Sequence, residues 1–158
     1  MLQQLQQLPN IVCLAAGNAE GDSELNAFDN ALRAGRIGDV NLIRVSSIVP
    51  TGAVFAELPE LPYGALVPTA YAEQVSSTPG QVISACIGVG WTHQGGVIME
   101  AHGVDETAGE IEKRCRLMVE EGMRVRGFVD YEVRFATAEH TVERIGAAIA
   151  AAVLWWRR

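Results

Sequence analysis

Ser46 and Ser47 stand side by side at the end of a β-branched, apolar run, just before the break Pro50-Thr51-Gly52. A serine hydroxyl becomes a nucleophile once it is held against an electrophile and relieved of its proton. The same pair is also what an ordinary polar strand terminus looks like. Glu100 follows Val97-Ile98-Met99 and precedes Ala101. A carboxyl desolvated by such neighbours has a raised pKa and can hold and donate a proton near neutrality. An outward-facing strand position would instead leave it an ordinary surface acid. The residues alone leave both pairs of readings open.

Other chemistries find less support. Cys13, Cys86 and Cys115 are widely spaced in apolar runs and read as reduced core thiols. His93, His102 and His140 form no HxH or HxxxH pair, so no metal site is expected. There is no GxGxxG at a strand-to-helix turn, no GxxxxGK[ST] and no GxSxG. A net charge of −7 and scattered basic residues argue against nucleic acid as a partner. The segment Met1–Asn10 carries no Lys or Arg, and the longest apolar run, Ile145–Trp156, falls short of the ~20 residues that span a bilayer. A cytoplasmic protein without membrane contact is the expectation.

The elements that must position these groups fit one domain over residues 1–158. Ile11–Ala16 reads as a buried strand ended by Gly17. Ser23 then caps a helix with Leu25, Phe28 and Leu32 at helical spacing and Asp29 beside the stripe. Val40–Ile48 predicts a strand, and the proline-rich stretch Leu58–Gly64 an extended connector. Ala65–Val75, Gln81–Val89 and Gly96–Ala101 predict three more strands. Asp105 is expected to open a helix that stops near Gly122, and Arg126–Ala136 to form another strand. Ala138–Trp156 predicts a final helix, apolar nearly all round in its second half, and an oligomer to cover it. Strands grouped between helices imply a layered α/β (α+β) fold, either a sandwich with helices outside or a two-layer domain.

Several segments, in order and spacing, closely resemble the pyruvoyl-dependent arginine decarboxylases. They are Leu25-Asn26-Ala27-Phe28-Asp29, the run from Asn41 through Ser46-Ser47 to Pro50, Gly64–Tyr71, Ile98-Met99-Glu100 and Glu139-His140-Thr141-Val142-Glu143. The resemblance runs from about Leu8 to Trp156. It departs from the family in a short amino terminus, at Thr51-Gly52, and in a turn from Trp91 to Gly95 that looks short.

The resemblance implies a four-layer αββα sandwich that cleaves itself between Ser46 and Ser47 into chains 1–46 and 47–158. The Ser47 hydroxyl would attack the Ser46 carbonyl, with Asn41 donating a hydrogen bond to the oxyanion; on its own Asn41 also reads as a structural residue. Elimination, then hydrolysis of the dehydroalanine by water with loss of ammonia, would leave a pyruvoyl group at position 47, with no PLP and no metal. That group would form a Schiff base with L-arginine, Glu100 would return a proton to Cα, and agmatine and carbon dioxide would leave. Asp29 matches the position that binds the guanidinium, a task for which a carboxylate's two acceptors suit the planar fork. The implied assembly is a homotrimer or a dimer of trimers, with Asp29 and Ser47 serving one pocket from different protomers. Histidine as substrate, or an uncleaved trimeric binding protein, are the competing readings.

Overall fold

The computed structural model describes residues 7–158. Eleven elements follow one another along the chain: β1 (Ile11–Glu20), α1 (Glu24–Ala34), β2 (Asn41–Arg44), β3 (Ile48–Val49), β4 (Val54–Phe55), β5 (Leu66–Ser76), β6 (Val82–Thr92), β7 (Gly95–Val104), α2 (Ala108–Val125), β8 (Glu132–Thr141) and β9 (Gly146–Trp155). The strands form two sheets, a first in the order β2-β5-β9-β1-β4 and a second in the order β3-β7-β6-β8.

Residues that alternate along each strand build three apolar layers. Val12, Ala70, Ala150 and Leu154 of the first sheet meet Ile83, Ile87, Val89 and Ile98 of the second in the core between them. The opposite face of the first sheet, with Cys13, Ile149 and Val153, packs on Ala27, Ala31 and Leu32 of α1. The outer face of the second sheet packs on α2 through Cys86 and Cys115 and through Val97, Val119 and Met123. The result is the αββα sandwich the sequence implied. All three cysteines are free and buried.

The helix ends follow their capping residues. The Asn26 N–H donates to Ser23 Oγ at 3.1 Å, as the sequence suggested. α2 opens one turn later than expected. Asp105 closes the preceding strand in a left-handed conformation, φ 57°, and Thr107 with Glu110 forms a capping box. The helix also continues past Gly122 to Val125. Gly122 is buried beneath Met99, whose terminal methyl would have to shift to admit a side chain there.

The largest correction concerns the carboxyl-terminal segment. Ala138–Trp156 is not a helix: Ala138–Thr141 completes β8, a turn follows, and Gly146–Trp155 is β9, paired with β1 on one side and β5 on the other. Ala148, Ala150, Ala152 and Leu154 face the second sheet, and Ala147, Ile149, Ala151 and Val153 face α1. Small residues on both faces let neighbouring layers approach closely, and this tertiary packing overrides the helical preference of alanine. The apolar surface is therefore covered inside the protomer and does not itself require a second subunit.

Smaller corrections share a cause, a glycine or turn read too locally. β1 runs on through Gly17 to Glu20, because Gly17 is where α1 crosses: a Cβ there would collide with the Ala31 carbonyl. Arg126–Tyr131 is loop, and β8 begins at Glu132. The expected strand Val40–Ile48 is split in two. β2 belongs to the first sheet and β3 to the second, so the chain changes sheet across Val45-Ser46-Ser47. No helix among the described residues is long and apolar enough to cross a membrane.

Candidate functional site

At the sheet change the chain leaves β2 after Arg44 and bends at Ser47 before β3 begins. The Val45 N–H still donates to Thr69 O of β5, at 3.1 Å, and the Ile98 N–H of β7 already donates to Ser47 O, at 2.8 Å. The Ser46-Ser47 peptide thus spans the gap between two rigid sheets. Ser46 is exposed and Ser47 half-buried.

The gap opens into a cleft of about 540 Å³ lined by Arg44, Val45, Ser46, Ser47, Ile98, Met99 and Glu100. That volume lies in the range of roughly 300–1,000 Å³ that small-molecule sites occupy. β7 pairs with β3 through Val97 and Gly96 and holds Ser47 O through Ile98, so beyond Ile98 its edge stands open. Glu100 lies two residues beyond Ile98 and so shares its face, which is turned toward the first sheet. Its carboxylate stands 3.7 Å from the Arg44 guanidinium, with both side chains about half exposed at 48% and 49%. The carboxyl is thus on an inward face at an open rim, between the two settings the sequence allowed.

Arg44, which sequence reasoning did not single out, is held by two contacts with Tyr71. Its Nη2 donates to Tyr71 O at 2.6 Å, and its guanidinium lies 4.2 Å above the Tyr71 ring. The available signal was its place two residues before Ser46, which puts a cation beside any chemistry there.

Two other sequence candidates stand outside this cleft. Asn41 begins β2, and its amide donates to Gly64 O at 3.1 Å. Three steps of extended strand, about 10 Å, separate it from Arg44. Asp29 is exposed on α1, on the outer side of the first sheet. Its neighbour Phe28 touches the Tyr71 ring, centroids 6.3 Å apart.

The Glu139–Glu143 motif is structural in the protomer. Glu139 Oε1 accepts the Ala108 N–H at the start of α2, at 2.8 Å. The Asn18 amide donates to His140 Nδ1 at 2.8 Å, and His140 Nε2 donates to Glu20 Oε2 at 2.6 Å. Glu20 also accepts the N–H groups of Glu143, Arg144 and Ile145. Burial alone would raise the Glu20 pKa, but these hydrogen bonds outweigh it and hold the carboxyl at about 2. The clamp joins β1 to β8 across the edge opposite the cleft. A second cleft of about 430 Å³ opens beside it, on polar groups already bonded to one another.

The turn at Thr51-Gly52 and the β6–β7 hairpin lie against each other. The Gly52 N–H donates to His93 O at 3.0 Å, and Trp91 Nε1 donates to Ala53 O at 2.7 Å. The short β6–β7 hairpin and the turn after β3 fit as a pair.

Residues 11–157 match the family described as pyruvoyl-dependent arginine decarboxylase. Proteins of that name are similar over nearly their full length. One from Methanocaldococcus jannaschii is 47% identical, covering 96% of this chain and 93% of its own. One from Methanococcus maripaludis is 42% identical with the same coverage. One from Thermococcus sibiricus is 46% identical over 92% of this chain and 95% of its own.

Proposed function

The chain belongs to the pyruvoyl-dependent arginine decarboxylase family, and from that premise we propose that it converts L-arginine to agmatine and carbon dioxide, using a pyruvoyl group made from its own Ser47. The observation that carries this reading is the meeting of the Ser46-Ser47 bend with Glu100 in one cleft. A peptide that bridges two sheets, outside any strand, is free to distort, and the clamped Ser47 carbonyl fixes one end of it. Those are the conditions under which a hydroxyl can be held against its own upstream carbonyl.

Ser47 is the nucleophile of self-processing and Ser46 the residue released as a new carboxyl terminus, giving chains 1–46 and 47–158. Once formed, the pyruvoyl group supplies an electrophilic carbonyl that takes the substrate's α-amine and draws off the electrons of the Cα–carboxylate bond. Glu100, at the rim of the same cleft, is the acid group placed to return a proton to Cα. Ile98, on the same face of β7 as Glu100, contributes apolar lining beside that acid.

The substrate's guanidinium calls for a carboxylate with two free acceptors. Asp29 fits that chemistry, but on α1 it lies outside its own protomer's cleft. Asn41, proposed as the oxyanion donor, is likewise displaced along β2 and has one amide N–H left after bonding Gly64 O. We therefore assign both to the neighbouring protomer of a homotrimer, alone or paired as a hexamer, in which each cleft is completed across a subunit contact. The expected compartment is the cytoplasm.

The test is incubation of the purified, processed protein with L-arginine, and separately with histidine, lysine and aspartate. Agmatine and carbon dioxide in equal amounts from arginine alone support the assignment. Turnover of another amino acid in its place, or of none, overturns it.

A further inference from the structure

β2 and β5 run parallel, and their ladder advances by two residues at a step. The Asn41 N–H donates to Ala65 O at 2.8 Å and the Val45 N–H to Thr69 O at 3.1 Å. Carried one step further, the same register delivers the N–H of residue 47 to the carbonyl of Tyr71. The ladder does not take that step. The chain turns toward the second sheet, Ser47 O accepts from Ile98, and Tyr71 O accepts from Arg44 Nη2 at 2.6 Å. The guanidinium is seated over the Tyr71 ring at 4.2 Å, a stacking that a flat, delocalised cation favours.

We propose that Arg44 is a positioning residue for self-processing, which takes the ladder acceptor that the Ser46-Ser47 amide would otherwise occupy. The inference rests on the reading that this bond is cleaved. In the acyl shift a bond forms between Ser47 Oγ and the Ser46 carbonyl carbon, and the bond from that carbon to the Ser47 nitrogen breaks. The hydroxyl proton ends on the nitrogen, which becomes an amine; nothing else is consumed. The nitrogen must leave the amide plane as this happens, and a ladder hydrogen bond would oppose that movement. By satisfying Tyr71 O itself, Arg44 avoids leaving a strand-edge carbonyl bare and lets the scissile nitrogen stay off the first sheet. The peptide is then fixed only through the Ser47 carbonyl, on the second sheet.

The experiment follows full-length protein after rapid purification, by intact mass, in the wild type, Arg44→Ala and Arg44→Lys, with and without millimolar methylguanidinium. Thermal melts confirm that each variant is folded. Arg44→Ala is expected to slow cleavage at least about tenfold, as small misplacements of reacting groups do. Arg44→Lys should be intermediate, since one N–H donor can reach Tyr71 O without the planar stacking. Methylguanidinium should speed Arg44→Ala, because the half-exposed guanidinium site is open to solvent. Cleavage of folded Arg44→Ala at the wild-type rate overturns the proposal. So does a slow Arg44→Ala that neither lysine nor methylguanidinium improves, which would place the effect on general structure. A wild-type chain that stays whole overturns the processing reading and this inference together, whereas a cleaving wild type with unimpaired Arg44→Ala overturns this inference alone.

Discussion

The Ile98 N–H holds the carbonyl of Ser47 at 2.8 Å, and two residues further along the same face of β7 stands Glu100. One strand therefore holds both the residue at which we propose the chain is cut and the acid we propose serves the reaction afterwards.

From this division, Glu100→Gln should leave self-processing intact. The substituted amide cannot deliver a proton, so kcat for arginine should drop by roughly 10²–10⁴ with little change in KM. Carbon dioxide release by the processed variant measures it. An unprocessed variant would show that Glu100 acts earlier.

The proposed sharing of each cleft between subunits gives a second prediction. Asp29→Asn should raise the KM for arginine, and assemblies of Asp29→Asn alone or Ser47→Ala alone should be nearly inactive. Trimers co-assembled from the two variants should regain a fraction of wild-type turnover, because some clefts then combine an intact Asp29 with an intact Ser47. Inactive mixed trimers would mean that both groups come from one chain.

The Glu20 clamp makes stability pH-dependent. Its carboxyl is depressed from an ordinary value near 4.5 to about 2. The folded state then binds fewer protons than the unfolded chain between those values. The stabilisation is complete above about pH 4.5 and is lost as pH falls toward 2. Glu20→Gln should lower the melting temperature at pH 7, by a loss of about 1–3 kcal/mol for bonds to a charged group. The gap to wild type should close as pH approaches 2. A gap that persists unchanged in acid would deny Glu20 this role.

Two glycines separate packing from propensity. Gly17→Ala drives a methyl into the Ala31 carbonyl and should cost about 1–3 kcal/mol. Gly109→Ala in the first turn of α2 meets nothing within 4 Å and should be neutral or stabilising, by up to about 1 kcal/mol. Denaturant melts of both variants distinguish them.

What was legible in the sequence was local. Ser23 announced α1, and the strand read over Ala65–Val75 matches β5. What misled was any segment whose conformation is decided by distant packing. The alanines of β9 carry a helical preference, and only their position between two sheets and a helix makes them a strand. Gly17 looked like a terminus because the helix lying across it cannot be seen in ten residues. For the site, the family pattern named Ser46, Ser47 and Glu100, and the fold brings these three together. Asp29 and Asn41 lie outside the cleft of their own protomer, a separation in space that one chain's periodicity does not reveal. Arg44 went unnoticed because its partner is a backbone carbonyl, which leaves no trace in residue types.

The central claim is that Ser47 becomes the blocked amino terminus of a separate chain. Intact mass spectrometry of the denatured wild-type protein and of Ser47→Ala tests it most directly. The account predicts two masses for the wild type, one for residues 1–46 and one for 47–158 carrying a pyruvoyl group, and a single full-length mass for Ser47→Ala. A wild-type protein that keeps one full-length mass after prolonged incubation would contradict it.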